Sequence, residues 1–248
     1  AHNYWERFKL FERQGKVPAS QAEWVELLIR NNWSVPEALA RAINPNKKEN
    51  NSSIKLASLN INRGLMDKMD ELTLLMSKGK FDILAIIEAD TPVVNGSVKI
   101  NIPGYTAISP RHKSKKQLAR IVALVRDELM DYIEIKYDLM SENFPSIWLK
   151  LTSQNGAKLL CGMFYRLWQD TSSMTSIADQ SSRLDLFLDQ LEQATNQCLH
   201  VVALGDANLD ANKYDNPSYQ LKSITDLYQT RISSLGLEQI PLGTTFTA

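Results

Sequence analysis

The stretch Phe81-Asp82-Ile83-Leu84-Ala85-Ile86-Ile87-Glu88-Ala89-Asp90 decides how the chain is read. Its apolar positions run to Ile87 with almost no alternation. A short run of that kind marks a strand buried on both faces, as in the centre of a layered α/β protein. Glu88 follows directly. An acid at the end of a buried strand is costly unless it is paired or put to use. In α/β proteins ligands collect beyond the carboxyl ends of the strands, where the backbone is held and side chains converge.

Outward from this run, similar signals recur. Ile54–Asn60, Ile121–Val125, Ile147–Leu151, Leu159–Tyr165 and Leu199–Leu204 read as strands, the last as another central one. Leu65, Met69, Leu72 and Leu75 recur at helical spacing, as do Leu184, Phe187, Leu188, Leu191 and Ala194. Strands mixed with long helices predict an α/β fold with sheets at its centre. Residues 1–50 read differently. Ser20-Gln21-Ala22-Glu23 and Ser34-Val35-Pro36-Glu37 are helix-start signals, each leading into an apolar stripe. The polar segment Asn44–Ser53 reads as a linker. The expected organisation is a helical appendage over residues 1–50 and a domain over residues 54–248.

Composition narrows the function classes. The 248 residues carry 28 Lys and Arg against 28 Asp and Glu, so a globally basic nucleic-acid binder is not indicated. A local basic groove remains open, because clustering rather than total charge attracts a phosphate backbone. No apolar run approaches the ~20 residues of a membrane helix. Cys161 and Cys198 each sit in an apolar run and read as buried thiols in a reducing, intracellular compartment. The N-terminal stripes around Trp24 and Trp33 suit packing or a protein partner. Nothing in the sequence sets an oligomeric state.

Four strand ends finish in polar groups: Leu59-Asn60-Ile61-Asn62-Arg63-Gly64-Leu65, Ile86-Ile87-Glu88, Met163-Phe164-Tyr165-Arg166 and Leu204-Gly205-Asp206-Ala207-Asn208. Order and residue types resemble the endonuclease/exonuclease/phosphatase (DNase I-like) family from Ile54 onward. Leu59-Asn60-Ile61 with Gly64-Leu65 and Lys68, Phe164-Tyr165-Arg166, and Leu235–Ile240 followed by Gly243-Thr244-Thr245-Phe246 are most similar to the endonuclease domain of non-LTR retrotransposons. The last of these resembles that branch's late strand and threonine turn.

The resemblance implies a four-layer α/β sandwich of two packed sheets flanked by helices. It implies phosphodiester hydrolysis with Mg²⁺ or Mn²⁺, and DNA as substrate. Glu88 would be the metal ligand. Asp206 would activate the attacking water, and Asn208 would hold the phosphoryl oxygens or the nucleophile. Asn60 and Tyr165 would complete the catalytic set, with Arg166 and Asn62 binding substrate. Asp90 reads as a loop or helix-start residue. Rival expectations are an inositol phosphate phosphatase of the same fold and a non-catalytic remnant that binds nucleic acid or protein. The chain departs from the family in Leu167-Trp168 after the Tyr-Arg pair, in the basic run Arg111–Lys116 and in Ala207. The family closes its site with a late Asp-His pair. This sequence reaches Ala248 without one, and its histidines are His2, His112 and His200. The expectation is a domain lacking its last strands, of doubtful activity as it stands.

Overall fold

Ile83 to Ile87 are buried at every position because both faces of their strand meet apolar layers. The computed structural model describes residues 54–112, 117–153, 156–167, 176–209, 215 and 221–240. The expected helical region at 1–50, most of the basic run and the segment from Gly243 lie outside the described residues. In chain order the elements are β1 (Leu56–Asn60), α1 (Met69–Gly79), β2 (Ile83–Val94), β3 (Ser97–Val98), β4 (Tyr105–Ile108), β5 (Leu118–Arg126), β6 (Ile133–Ile135), β7 (Ser146–Thr152), β8 (Lys158–Tyr165), α2 (Ile177–Gln197), β9 (Val201–Asp206) and α3 (Lys222–Ser234).

The strands form two sheets. One runs β1-β2-β5-β4, with β3 folded back on the end of β2; the other runs β6-β7-β8-β9. β1 is parallel to β2, β9 is parallel to β8, and the other pairs are antiparallel. Among the described residues, every strand of the first sheet precedes every strand of the second. The chain crosses between them through a 3-10 segment at Asp127–Tyr132.

Alternation within β2 explains the layers. Leu84 and Ile86, with Val122 and Leu124 of β5, pack against Leu65 and against Leu72 and Met76 of α1. Ile83, Ala85 and Ile87 turn the other way, into the core shared with Ile147, Leu149, Cys161 and Met163 of the second sheet. The outer side of that sheet is covered by α2. Phe164 stacks on Phe187 at 3.8 Å between ring centroids, and Trp148 Nε1 donates to Gln190 Oε1 at 3.0 Å. The order is therefore helix, sheet, sheet, helix: the expected four-layer sandwich. α2 starts at a capping box, where Ser176 and Asp179 satisfy each other's backbone N–H. Gly205 is required where β9 lies against β8, since a Cβ there would come within 2.0 Å of the Phe164 carbonyl oxygen.

The structure corrects three expectations. Leu235–Ile240 is not a strand. The N–H groups of Leu235, Gly236 and Leu237 bond back to Arg231, Ser233 and Ile232, with Gly236 at φ 69, so this stretch terminates α3. β9 begins at Val201 rather than Leu199, which is 90% exposed; among the described residues β9 is an edge strand and not a central one. Of the two thiols, Cys161 is fully buried but Cys198 is half-exposed beyond the end of α2.

Candidate functional site

The carboxyl ends of β1, β8 and β9 meet the middle of β2 at one place, and the backbone departs from strand geometry within β2 and just beyond β1 and β9. β2 carries a wide irregularity: Ile87 pairs with Ile121 and Thr91 with Ala119, so Glu88, Ala89 and Asp90 together face the single residue Arg120. Glu88 and Asp90 take φ of 56° and 45°, Asn62 and Arg63 after β1 take 50° and 66°, and Asn208 after β9 takes 51°. Left-handed conformations in side-chain-bearing residues are uncommon and collect where a site over-determines the backbone.

Asn60 ties the two acids together. Its Nδ2 donates to Glu88 Oε1 at 3.0 Å and to Asp206 Oδ2 at 3.3 Å. Its Oδ1 accepts from the Asn62 backbone N–H at 2.9 Å, which fixes the amide's orientation. The loop beyond β1 is pinned in turn. Ile61 and Arg63 donate their N–H to the Ile87 and Glu88 carbonyls, and Lys68 Nζ bonds the Ile61 and Arg63 carbonyls. Asp206 Oδ1 accepts from Asn208 N at 2.7 Å, so a local turn holds one oxygen while the other faces Asn60. Asn208 Nδ2 donates to the Arg166 carbonyl at 2.6 Å.

Tyr165 is 5% exposed, and its hydroxyl accepts from Arg120 Nη2 at 3.0 Å. Burial and then the Glu88 charge push its pKa above the ordinary tyrosine value, against the opposing effect of Arg120 and Asn208. The phenol therefore keeps its proton at neutral pH.

Arg166 was expected to meet substrate, and the structure places it beneath the site. It is 0% exposed. Its guanidinium donates to the Ala207 carbonyl, to the Asn208 carbonyl at 2.9 Å and to Gln180 Oε1. The fork is spent on supporting the turn after β9. The Asn62 side chain is exposed, and its backbone rather than its amide enters the network.

No protein-family model matches the chain, and no curated protein matches it significantly. Solved structures do. AP endonuclease LMAP from Leishmania major aligns with a TM-score of 0.50 and 14% identity, covering 81% of this chain and 77% of that one. The 3′ phosphatase NExo from Neisseria, bound to product DNA hairpin, aligns at 0.50 and 14%, over 74% of this chain and 71% of that one. The chain has the endonuclease/exonuclease/phosphatase fold. The endonuclease domain of TRAS1, a telomere-specific non-LTR retrotransposon, is also similar, with a TM-score of 0.49, 13% identity and coverage of 73% and 72%.

Within this endonuclease/exonuclease/phosphatase fold, a cation can be tested against the side chains present. Glu88 and Asp206 turn carboxylate oxygens toward one Asn60 nitrogen. Two crowded acids and no soft ligand suit Mg²⁺ or Mn²⁺, which take hard oxygens, few carboxylates and several waters. Among the described residues no larger group of three His, Cys, Asp or Glu gathers anywhere.

Two residues at the site escaped the sequence reading. Asp90 is no loop residue: it lies in β2, and Arg120 Nη1 donates to its Oδ1. The signal was present in Glu88-Ala89-Asp90, whose acids two apart share one face of a strand, and in a lone arginine opening the buried run Ile121–Val125.

Proposed function

We propose that the chain is a divalent-cation-dependent phosphodiesterase that nicks DNA. The observation that carries this reading is the Asn60 amide bonded at once to Glu88 and Asp206. Two fold neighbours, by their names an AP endonuclease and a 3′ phosphatase bound to product DNA, support DNA as the substrate class. The Asn60-Ile61 and Tyr165-Arg166 motifs favour the retrotransposon type of nicking endonuclease.

Glu88 would hold Mg²⁺, which when bound neutralises charge developing on the phosphoryl oxygens. Asp206, with one oxygen anchored by Asn208, would orient the attacking water and take its proton. Attack on phosphorus breaks the P–O3′ bond, and the departing 3′ oxygen takes a proton from water to leave a 3′ hydroxyl. Tyr165 keeps its proton, and its hydroxyl donates toward the phosphate while Arg120 holds the oxygen in place. Asn60 sets the angle between the acids, and Arg166 keeps Asp206 and Asn208 at their height.

Nicking of supercoiled plasmid with Mg²⁺ tests the reading. Glu88→Ala and Asp206→Ala are expected to slow it by about 10²-fold or more. Equal nicking by wild type and both variants overturns it and leaves a binding domain. Release of phosphate from inositol phosphates without nicking moves the substrate to small phosphoesters.

A further inference from the structure

Arg120 touches more than the Tyr165 oxygen that the proposed hydrolysis asks it to hold. It stands on β5 opposite the three-residue irregularity of β2. Its Nη1 bonds Asp90 Oδ1, its Nη2 bonds Tyr165 and lies 3.9 Å from Glu88 Oε2, and its Cζ lies 4.8 Å from the centroid of the Tyr165 ring. The side chain is 11% exposed, and its buried Nε has no hydrogen-bond partner. A fork placed only to satisfy hydrogen bonds would not leave a buried donor idle.

Glu88 thus faces two ways. Oε1 points to Asn60 and the cleft; Oε2 points to Arg120. We infer that Arg120 is a positioning residue, a resident cation that occupies the space between Glu88, Asp90 and Tyr165 and leaves Glu88 only one oxygen for a divalent ion. The inference rests on the reading of Glu88 as the cation-holding residue. It has a physical consequence of definite sign. A fixed positive charge beside a metal ligand weakens cation binding, because like charges at this range repel strongly in a partly desolvated site. The same charge orients Glu88 and Tyr165 and so favours turnover. Arg120 trades cation affinity for geometry.

The test measures Mn²⁺ binding by titration calorimetry and electron paramagnetic resonance, alongside kcat for plasmid nicking. Arg120→Gln keeps much of the length and some hydrogen bonding but drops the charge. It is expected to bind Mn²⁺ about tenfold more tightly and to lower kcat about tenfold or more, two changes in opposite senses. Arg120→Lys keeps the charge without the planar fork. It is expected to hold Mn²⁺ affinity within about twofold of wild type while kcat recovers only in part. Unchanged or weaker Mn²⁺ binding in Arg120→Gln, or identical behaviour of the Gln and Lys variants, overturns the proposal. A purely structural role would weaken binding and slow turnover together. Glu88→Ala separates the two readings: if it binds Mn²⁺ as wild type does, the proposed function of Glu88 fails first, whatever Arg120 does.

Discussion

Arg166 shows how a residue's neighbours outweigh its type. The Tyr-Arg pair suggests a phosphate-binding fork, yet the guanidinium is buried and donates to two carbonyls and Gln180. Arg166→Met strands those acceptors, and the expected loss is about 3 kcal/mol in urea unfolding. A substrate-contacting arginine would instead raise KM and leave stability alone, so the two measurements discriminate. Glu88 and Asp206 were legible because each is an acid that follows a buried or apolar run, although only Asp206 ends its strand. The pairing of Asp90 with Arg120 was not legible. Their meeting depends on how β2 and β5 align across the irregularity, and cross-strand register is set by partners far apart in sequence.

Among the elements, the long apolar ones were legible and the short or interrupted ones were not. β2 runs to Val94 through its irregularity, although its unbroken apolar run ends at Ile87. β3, β4 and β6 have two to four residues each, too few for a period to show. α3 packs Ile224, Leu227, Tyr228 and Ile232 against the core at helical spacing, so its signal was present in the sequence and escaped the reading. β9 was found but placed too centrally: its apolar run does not tell how many of its sides are covered. Its attachment to β8 depends on Gly205. Gly205→Ala pushes a methyl into the Phe164 carbonyl and is expected to cost about 2 kcal/mol, or more if the strands separate. Urea unfolding measures this. Nicking should fall further than stability, because Asp206 is the next residue.

For the whole molecule, the shared core has a pH signature. Burial pushes the Cys161 thiol up from 9.0 to about 12. Between those values the unfolded chain gives up a proton that the native chain keeps. Stability is therefore fully present below pH 9 and falls as pH rises toward 12. The slope from this group approaches 1.4 kcal/mol per pH unit within that window. Cys161→Ala, less stable at neutral pH, should lose about 1 kcal/mol less than wild type between pH 8 and pH 10 in paired urea melts.

Among the described residues, the crossing at Asp127–Tyr132 separates a first part that builds one sheet from a second part that builds the other. Asn60 and Glu88 belong to the first half and Asp206 to the second; the Asn60–Asp206 bond spans 146 residues. The cleft is consequently a clasp across the seam of the molecule. Whatever engages both acids adds to the side-chain packing and the Arg120–Tyr165 bond that already join the two halves. Saturating Mg²⁺ should then slow amide hydrogen exchange in β1 and β9 together, and in neither strand of Glu88→Ala. A sheet that slides by a fraction of an ångström would be felt at the cleft before it was felt anywhere else.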